Sequence, residues 1–217
     1  MTEKPQKKST TRSWKQDPEA VRADILRAAR AEFAEHGLSG ARVQEIAERI
    51  KTSKRMIFYY FGDKEGLYRA VLEAEYASVR QAESELDLEG LAPMEALQKL
   101  VEFTFDHHRA NPEFIRLVMI ENIHNARHLK ELQNLASTSS TAISQLERLC
   151  AAGKAAGVFR ADVSPLVLHW QISAMSFFNV ANENTFRTNF GADLFARDGQ
   201  AQLRREAVRS ILSAVKA

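Results

Sequence analysis

Residues 46–71 read IAERIKTSKRMIFYYFGDKEGLYRAV and hold two short amphipathic helices, a tight turn and the start of a third helix. The first runs from Val43 to Ile50, with Val43, Ile46, Ala47 and Ile50 facing inward at spacings of three and four. Ser53 is placed to N-cap the second, which reaches about Phe61 and is anchored by Ile57 and Phe61. Asp63 caps the third, whose stripe of Leu67, Tyr68, Val71, Leu72, Tyr76 and Val79 carries it to about Leu86. A longer helix precedes all of these. Asp17 N-caps it, Pro18 suits the first helical position, Glu19 complements the positive end of the dipole, and Gly37 ends it in a left-handed conformation. A long helix followed by two short ones is the helix-turn-helix arrangement, in which the second short helix enters a DNA major groove and the first crosses the backbone.

The residues of the second short helix suit that task. Thr52 and Ser53 put hydroxyls and free N–H groups at a helix N-terminus, a seat for phosphate. Lys54 and Arg55 follow at the front of the helix, and Phe58, Tyr59 and Tyr60 supply flat surface. Lys64 opens the next helix. Charge points the same way: residues 1–62 carry 13 Lys and Arg against 8 Asp and Glu, while residues 63–217 carry 17 against 20. A basic head on a mildly acidic body is the footprint of a polyanion-binding module joined to a regulatory or assembly body. Residues 1–16 are polar and without period, a flexible basic arm carrying Lys4, Lys7, Lys8, Arg12 and Lys15.

Downstream the periodicity stays helical. Segments at Pro93–Ala110, Glu113 to about Ala126, Leu129–Ala156, Pro165 to about Glu183 and Ala201–Ala217 each carry an apolar face, and residues 184–200 read as a polar link. The chain is all-α with about nine helices. Nine Gly and five Pro in 217 residues are too few for a sandwich or barrel, which needs a turn signal roughly every 8–12 residues. Cys150 is the only cysteine, so neither an intrachain disulfide nor a cysteine-based zinc site is available. The most apolar stretch, Pro165–Ala181, is interrupted by His169, Gln171, Ser173, Ser176 and Asn179, which makes a poor membrane span. With no secretory signal in view, the expected location is the cytoplasm.

The run from Ala31 to Leu72 resembles the DNA-binding domain of the TetR family of transcriptional regulators. The resemblance is carried by Phe33, Gly37, Gly40, Ile46-Ala47, Ser53, Ile57, Tyr60-Phe61, Asp63-Lys64-Glu65, Leu67 and Ala70-Val71, in order and spacing. Beyond the first third of the chain it persists in helical layout and in GVFRADVSP, residues 157–165. It implies a helix-turn-helix domain over 17–63 and an effector-binding and dimerisation domain over 64–217. It implies base or groove contacts from Lys54, Arg55 and Tyr59, and phosphate contacts from Arg42, Ser53, Tyr60 and Lys64, flanked by Thr52 and Phe58. The implied function is a homodimeric, ligand-responsive repressor on a palindromic double-stranded DNA operator, released by a small-molecule effector, with no cofactor. Four positions depart from the family pattern, among them Thr52, which stands where valine is usual. Lys51 stands where glycine is usual, which in a left-handed turn costs about 1 kcal/mol. Phe58 lacks the hydroxyl of the usual tyrosine, and Arg42 replaces a common threonine.

One head buries too little to hold a single operator against genomic competition, and two-fold pairing doubles the contact. The helices at 165–183 and 201–217 are the expected seam. The first is apolar nearly all round and needs cover on every side. Candidate effector contacts are polar or soft residues on otherwise apolar helices: Phe103, His107, Arg116, Met119, Asn122, Gln171, Met175, Phe178, Asn179 and Asn182. Gln171, Met175, Phe178 and Asn182 share one helical face. Arg116, Asn122 and His107 would suit an anionic or amide-bearing effector.

Two rival classes remain. Glu121, His124 and His128 fall on one helical face, which allows a metal-binding or redox protein, although a ferritin-like di-iron site needs two Glu-x-x-His units and only one is present, and solvated surface histidines are the default reading. Cys150 lies with Leu146 and Leu149 on an apolar face and reads as inert. A helical adaptor that does not bind DNA is the other class. Phosphate-loop, nucleophile-elbow and His-Glu-x-x-His motifs are all missing, so no metal site and no enzyme is expected.

Overall fold

Asp17 accepts the Ala20 N–H through Oδ1 at 2.9 Å and starts α1 (Pro18–Gly40), with proline in the first turn. The computed structural model describes residues 17–132 and 135–217, and of residues 135–142 the backbone alone. The basic arm, residues 1–16, lies outside the described residues. Gly37 has φ 65° and ψ 177°, a combination that side chains exclude, and the kink it makes turns the last residues of α1 toward α2 (Val43–Arg49). Ser53 Oγ accepts the Met56 N–H at 3.2 Å to cap α3 (Lys54–Phe61). Asp63 Oδ1 accepts the Gly66 N–H at 2.6 Å to cap α4 (Lys64–Ser84).

The body continues with α5 (Pro93–Ala110), α6 (Pro112–Ile123), α7 (Leu135–Ala155), α8 (Pro165–Ala181), α9 (Glu183–Phe190) and α10 (Arg197–Val215). Short 3-10 turns sit at Leu129–Glu131 and Asp193–Phe195. Among the described residues there are thus ten α-helices, and the only β feature is an isolated bridge between Phe159 and Lys216.

Three packed clusters hold the chain together. The first joins Ile25, Phe33, Ile46, Ile57, Leu67, Tyr68 and Leu72 to Leu117 of α6, so the base of the head includes half of α4 and a residue of the body. The second joins Leu97, Val101, Phe105, Leu146, Cys150, Leu168, Ile172 and Ile211 from α5, α7, α8 and α10. A small third cluster, Val79, Phe114 and Ile115, lies between them with Tyr76, Val118 and Phe177 against it.

The structure corrects the expected helix boundaries in two places. The segment expected as one helix from Leu129 to Ala156 is a 3-10 turn followed by α7 from Leu135. The cause lies upstream: α6 stops at Ile123, and Asn125 and Ala126 turn left-handed at φ 58° and 55°. The carboxylate of Glu121 then accepts the backbone N–H groups of His128 (3.1 Å) and Leu129 (3.2 Å), capping the short turn. The polar link expected at 184–200 contains α9 and a 3-10 turn. Phe186 is four residues from Phe190 and packs on it at 4.7 Å and on Phe195 at 5.8 Å, an apolar contact that spans the element boundary. Arg187 pairs with Glu183 one turn earlier at 2.7 Å.

Candidate nucleic-acid interface and effector cavity

The exposed edge of the head is α3. Ile57 is fully buried beneath it, while Lys54, Arg55 and Phe58 face solvent and Tyr59 is 77% exposed. Tyr60 is half-buried, and its ring meets Tyr59 edge-on at 5.5 Å. The turn that presents α3 runs through Lys51 at φ 54°, the left-handed conformation expected of this position. Thr52 N–H donates to the Ala47 carbonyl at 2.9 Å, which locks the turn. Arg42 is exposed at the start of α2, and its N–H donates to Glu32 Oε1 at 3.0 Å. Lys64 Nζ donates to the Ser39 carbonyl at 3.2 Å, tying α4 to the end of α1. Sequence reasoning missed Glu32. It is 1% exposed, and besides Arg42 it accepts from Arg49 Nη2 at 2.9 Å, so one buried carboxylate of α1 orients both ends of α2. A glutamate in mid-helix carries no sequence signal for that role.

Two of the cavities in the body bear on the effector set. One of about 280 Å³ lies among α4, α5, α6 and α8, walled by Tyr76, Phe114, Trp170 and Phe177, with Arg80, His108, Asn122 and Ser173 as its polar lining. Arg80 pairs with Glu83 one turn on, and burial pushes the Glu83 carboxyl up while Arg80 holds it down. His108 is 8% exposed. Its imidazole is pushed down to about 4 by burial first and by the charges of His107 and Arg80 next. His108 Nδ1 is buried without a partner. The other cavity, about 480 Å³, lies among α5, α8, α9 and α10 and is lined by Phe105, Met175, Phe178, Phe186, Phe195 and Leu203, with few polar groups.

Comparison with known proteins decides the family. A family model described as "Bacterial regulatory proteins, tetR family" matches residues 25–71, and one described as "Tetracyclin repressor-like, C-terminal domain" matches residues 93–211. The HTH-type transcriptional repressor NicS of Pseudomonas putida is 36% identical over 186 residues, 86% of this chain and 88% of NicS. This chain belongs to the TetR family. The HTH-type transcriptional repressor SCO4008 of Streptomyces coelicolor is 37% identical over 109 residues, 49% of this chain and 52% of that protein. The crystal structure of SCO4942 from Streptomyces coelicolor superimposes with a TM-score of 0.69 at 26% identity, covering 89% of this chain and 97% of the other.

In this TetR-family chain the structure brings together only part of the expected effector set. Asn122 lines the 280 Å³ cavity, whereas Met175, Phe178 and Asn179 line the 480 Å³ one. Met119 packs against the Phe114 cluster. Arg116 is exposed on α6 and lines neither cavity. The Phe103 and His107 rings on α5 lie 5.3 Å apart, tilted by 38° to each other. Gln171 borders a small cleft beside Val215, and Asn182 ends α8. Asn179 exchanges side-chain hydrogen bonds with Gln200 at 2.9 and 3.0 Å, pinning α8 to the first turn of α10. Arg80 was missed because on α4 it reads as one more polar residue beside the apolar stripe.

The metal reading also meets a correction. With α6 ending at Ile123, His124 and His128 no longer share a helical face. His128 is buried with Nδ1 2.9 Å from Glu121 Oε1, and His124 is exposed. No group of three His, Cys, Asp or Glu among the described residues is placed to hold a metal ion. Cys150 is buried, which raises its thiol pKa and keeps it protonated. No described helix is long and apolar enough to cross a membrane.

Proposed function

We propose that this chain is a homodimeric repressor that grips a palindromic DNA operator with α3 and releases it when a small molecule enters the body. The observation that carries this reading is the presentation of Lys54, Arg55 and Tyr59 on a capped, exposed helix whose inner residue, Ile57, is fully buried. In this reading residues 17–63 are the DNA-binding head, 64–217 the effector and dimerisation body, and 1–16 a basic arm. Arg55, Lys54 and Tyr59 read base edges or the groove floor. Arg42, Thr52, Ser53, Tyr60 and Lys64 meet phosphates and set affinity and its salt dependence, with Phe58 packing at the margin.

The dimer follows from the surface of α8. Leu168 and Ile172 point into the core, while on the other side Leu166 is 64% and Trp170 69% exposed, joined by Val167 and Phe178. A contiguous apolar stripe of that kind on a regulator that needs two heads marks the seam with a second copy.

The effector site is the cavity lined by Arg80. It has a few convergent polar groups in apolar walls and a strongly shifted imidazole, as ligand sites do. It also touches the lever that reaches the head: Phe114, Ile115, Val118 and Asn122 of α6 line it, while Leu117 of the same helix is built into the head's core. Sequencing the DNA retained by the purified protein tests the proposal. It predicts a shared inverted repeat whose half-sites lie about 34–36 Å, one helical turn, apart or a multiple of that. Fragments without a common motif would contradict it.

A further inference from the structure

We infer that the molecule taken up by the α4–α5–α6–α8 cavity is a small aromatic carboxylate whose anionic group is bound by Arg80. The inference rests on the reading of the body as an effector domain and names the chemistry of that site.

The first argument is charge. Among the described residues, Arg80 is the one Lys or Arg side chain in the lining of this cavity. A guanidinium carries five N–H donors in a fixed fork, and Glu83 engages only Nη1. The fork therefore has donors left for a second, bidentate acceptor, the geometry in which arginine binds carboxylate best. His107 and His169 are lowered by burial first and then by the charge on Arg80, and His108 by burial, then His107, with Arg80 adding further. Glu83 is a poor permanent partner, since burial itself pushes its carboxyl up. An incoming anion would share or take over the guanidinium in a site already arranged for negative charge.

The second argument is shape. Tyr76 and Phe114 meet edge-on at 5.4 Å, and with Trp170 and Phe177 they form the aromatic lining of an open cleft of about 280 Å³. That volume is at the small end for ligand sites and suits one or two fused rings. Ser173 lines both this cavity and a void of about 20 Å³ beside Glu83 and His169, room for roughly one water next to the ion pair. His108, in the lining, has a buried Nδ1 without a hydrogen-bond partner, a polar group that a ligand could engage.

Calorimetry on the full chain with benzoate, 2-naphthoate and the neutral 2-naphthamide tests the inference, with DNA release measured separately on the retained fragment. The wild type should bind at least one carboxylate at least ten-fold more tightly than the amide. Arg80→Met should erase that preference while keeping amide binding. Glu83→Gln, which removes the competing carboxylate at constant volume, should tighten carboxylate binding several-fold, a gain that a misfolded variant cannot mimic. Equal binding of acid and amide by the wild type, an unchanged preference in Arg80→Met, or no carboxylate binding at 5 mM would each overturn the inference. If salt-sensitive DNA binding is present but no carboxylate binds, the ligand class alone fails. If carboxylates bind but no DNA is retained, the regulator reading fails and the Arg80 site stands.

Discussion

Lys51 sits at φ 54°, in a turn where a side chain is strained, and its ammonium is exposed beside the front of α3. In the proposed function the charge of Lys51 meets a phosphate, which offsets that strain. Lys51→Gly should raise the unfolding free energy by about 1 kcal/mol. It should also weaken DNA binding and reduce the salt slope by about one. Chemical denaturation and a salt titration read the two effects independently, and unchanged DNA affinity would reduce Lys51 to a turn residue. At His108 the prediction concerns pH. Its folded pKa of about 4 lies below the ordinary value of 6.5, so its contribution to stability is complete above 6.5 and is lost as pH falls toward 4. His107 and His169 shift in the same direction. Urea unfolding from pH 7 to 4 should therefore show falling stability, and His108→Gln should flatten part of the slope. An identical slope in the variant would mean that the imidazole titrates normally.

At the scale of elements, α6 joins the two halves. Its residue Glu121 is 1% exposed and accepts from the Tyr68 hydroxyl of α4 at 3.1 Å as well as from His128 and Leu129 beyond the helix. Burial alone would raise this carboxyl, but the hydrogen bonds from His128, Leu129 and Tyr68 outweigh it and hold the group below its usual value of 4.5. Glu121→Gln should cost about 1–3 kcal/mol at neutral pH, because donors buried around it lose a charged acceptor. The variant should also lose less stability than the wild type as pH falls below 4.5, which denaturation at pH 4 and 7 checks. A Glu121→Gln variant as stable as the wild type would remove Glu121 from the link. This element also marks where sequence reading stops. Caps such as Asp17, Ser53 and Asp63, and the three- and four-residue spacing of α1 to α4, are local signals, and they emerge in the structure as expected. The end of α6 is decided by a carboxylate reaching seven and eight residues ahead, and α9 by aromatic rings packing across a turn. Neither has a periodic signature. The same holds for the cavity. Asn122 was legible as polar on an apolar helix, but Arg80 becomes a wall residue only when α4, α5, α6 and α8 close around it.

For the whole molecule, the proposed function requires two heads held at a fixed separation, with the body as the part that sets it. In that proposal the exposed stripe of α8 would supply the contact, α6 and α4 would connect the cavity to the heads, and the positive excess of residues 1–62 would attract phosphate. The most direct measurement is DNA affinity against salt concentration on the retained fragment, for the wild type and for Trp170→Glu, with sedimentation of both. The account predicts a wild-type dimer whose log affinity falls steeply and linearly with log salt, and a helical but monomeric variant with a slope about half as steep and weak affinity. A wild type that is monomeric, or whose affinity for every fragment is low and indifferent to salt, would contradict it.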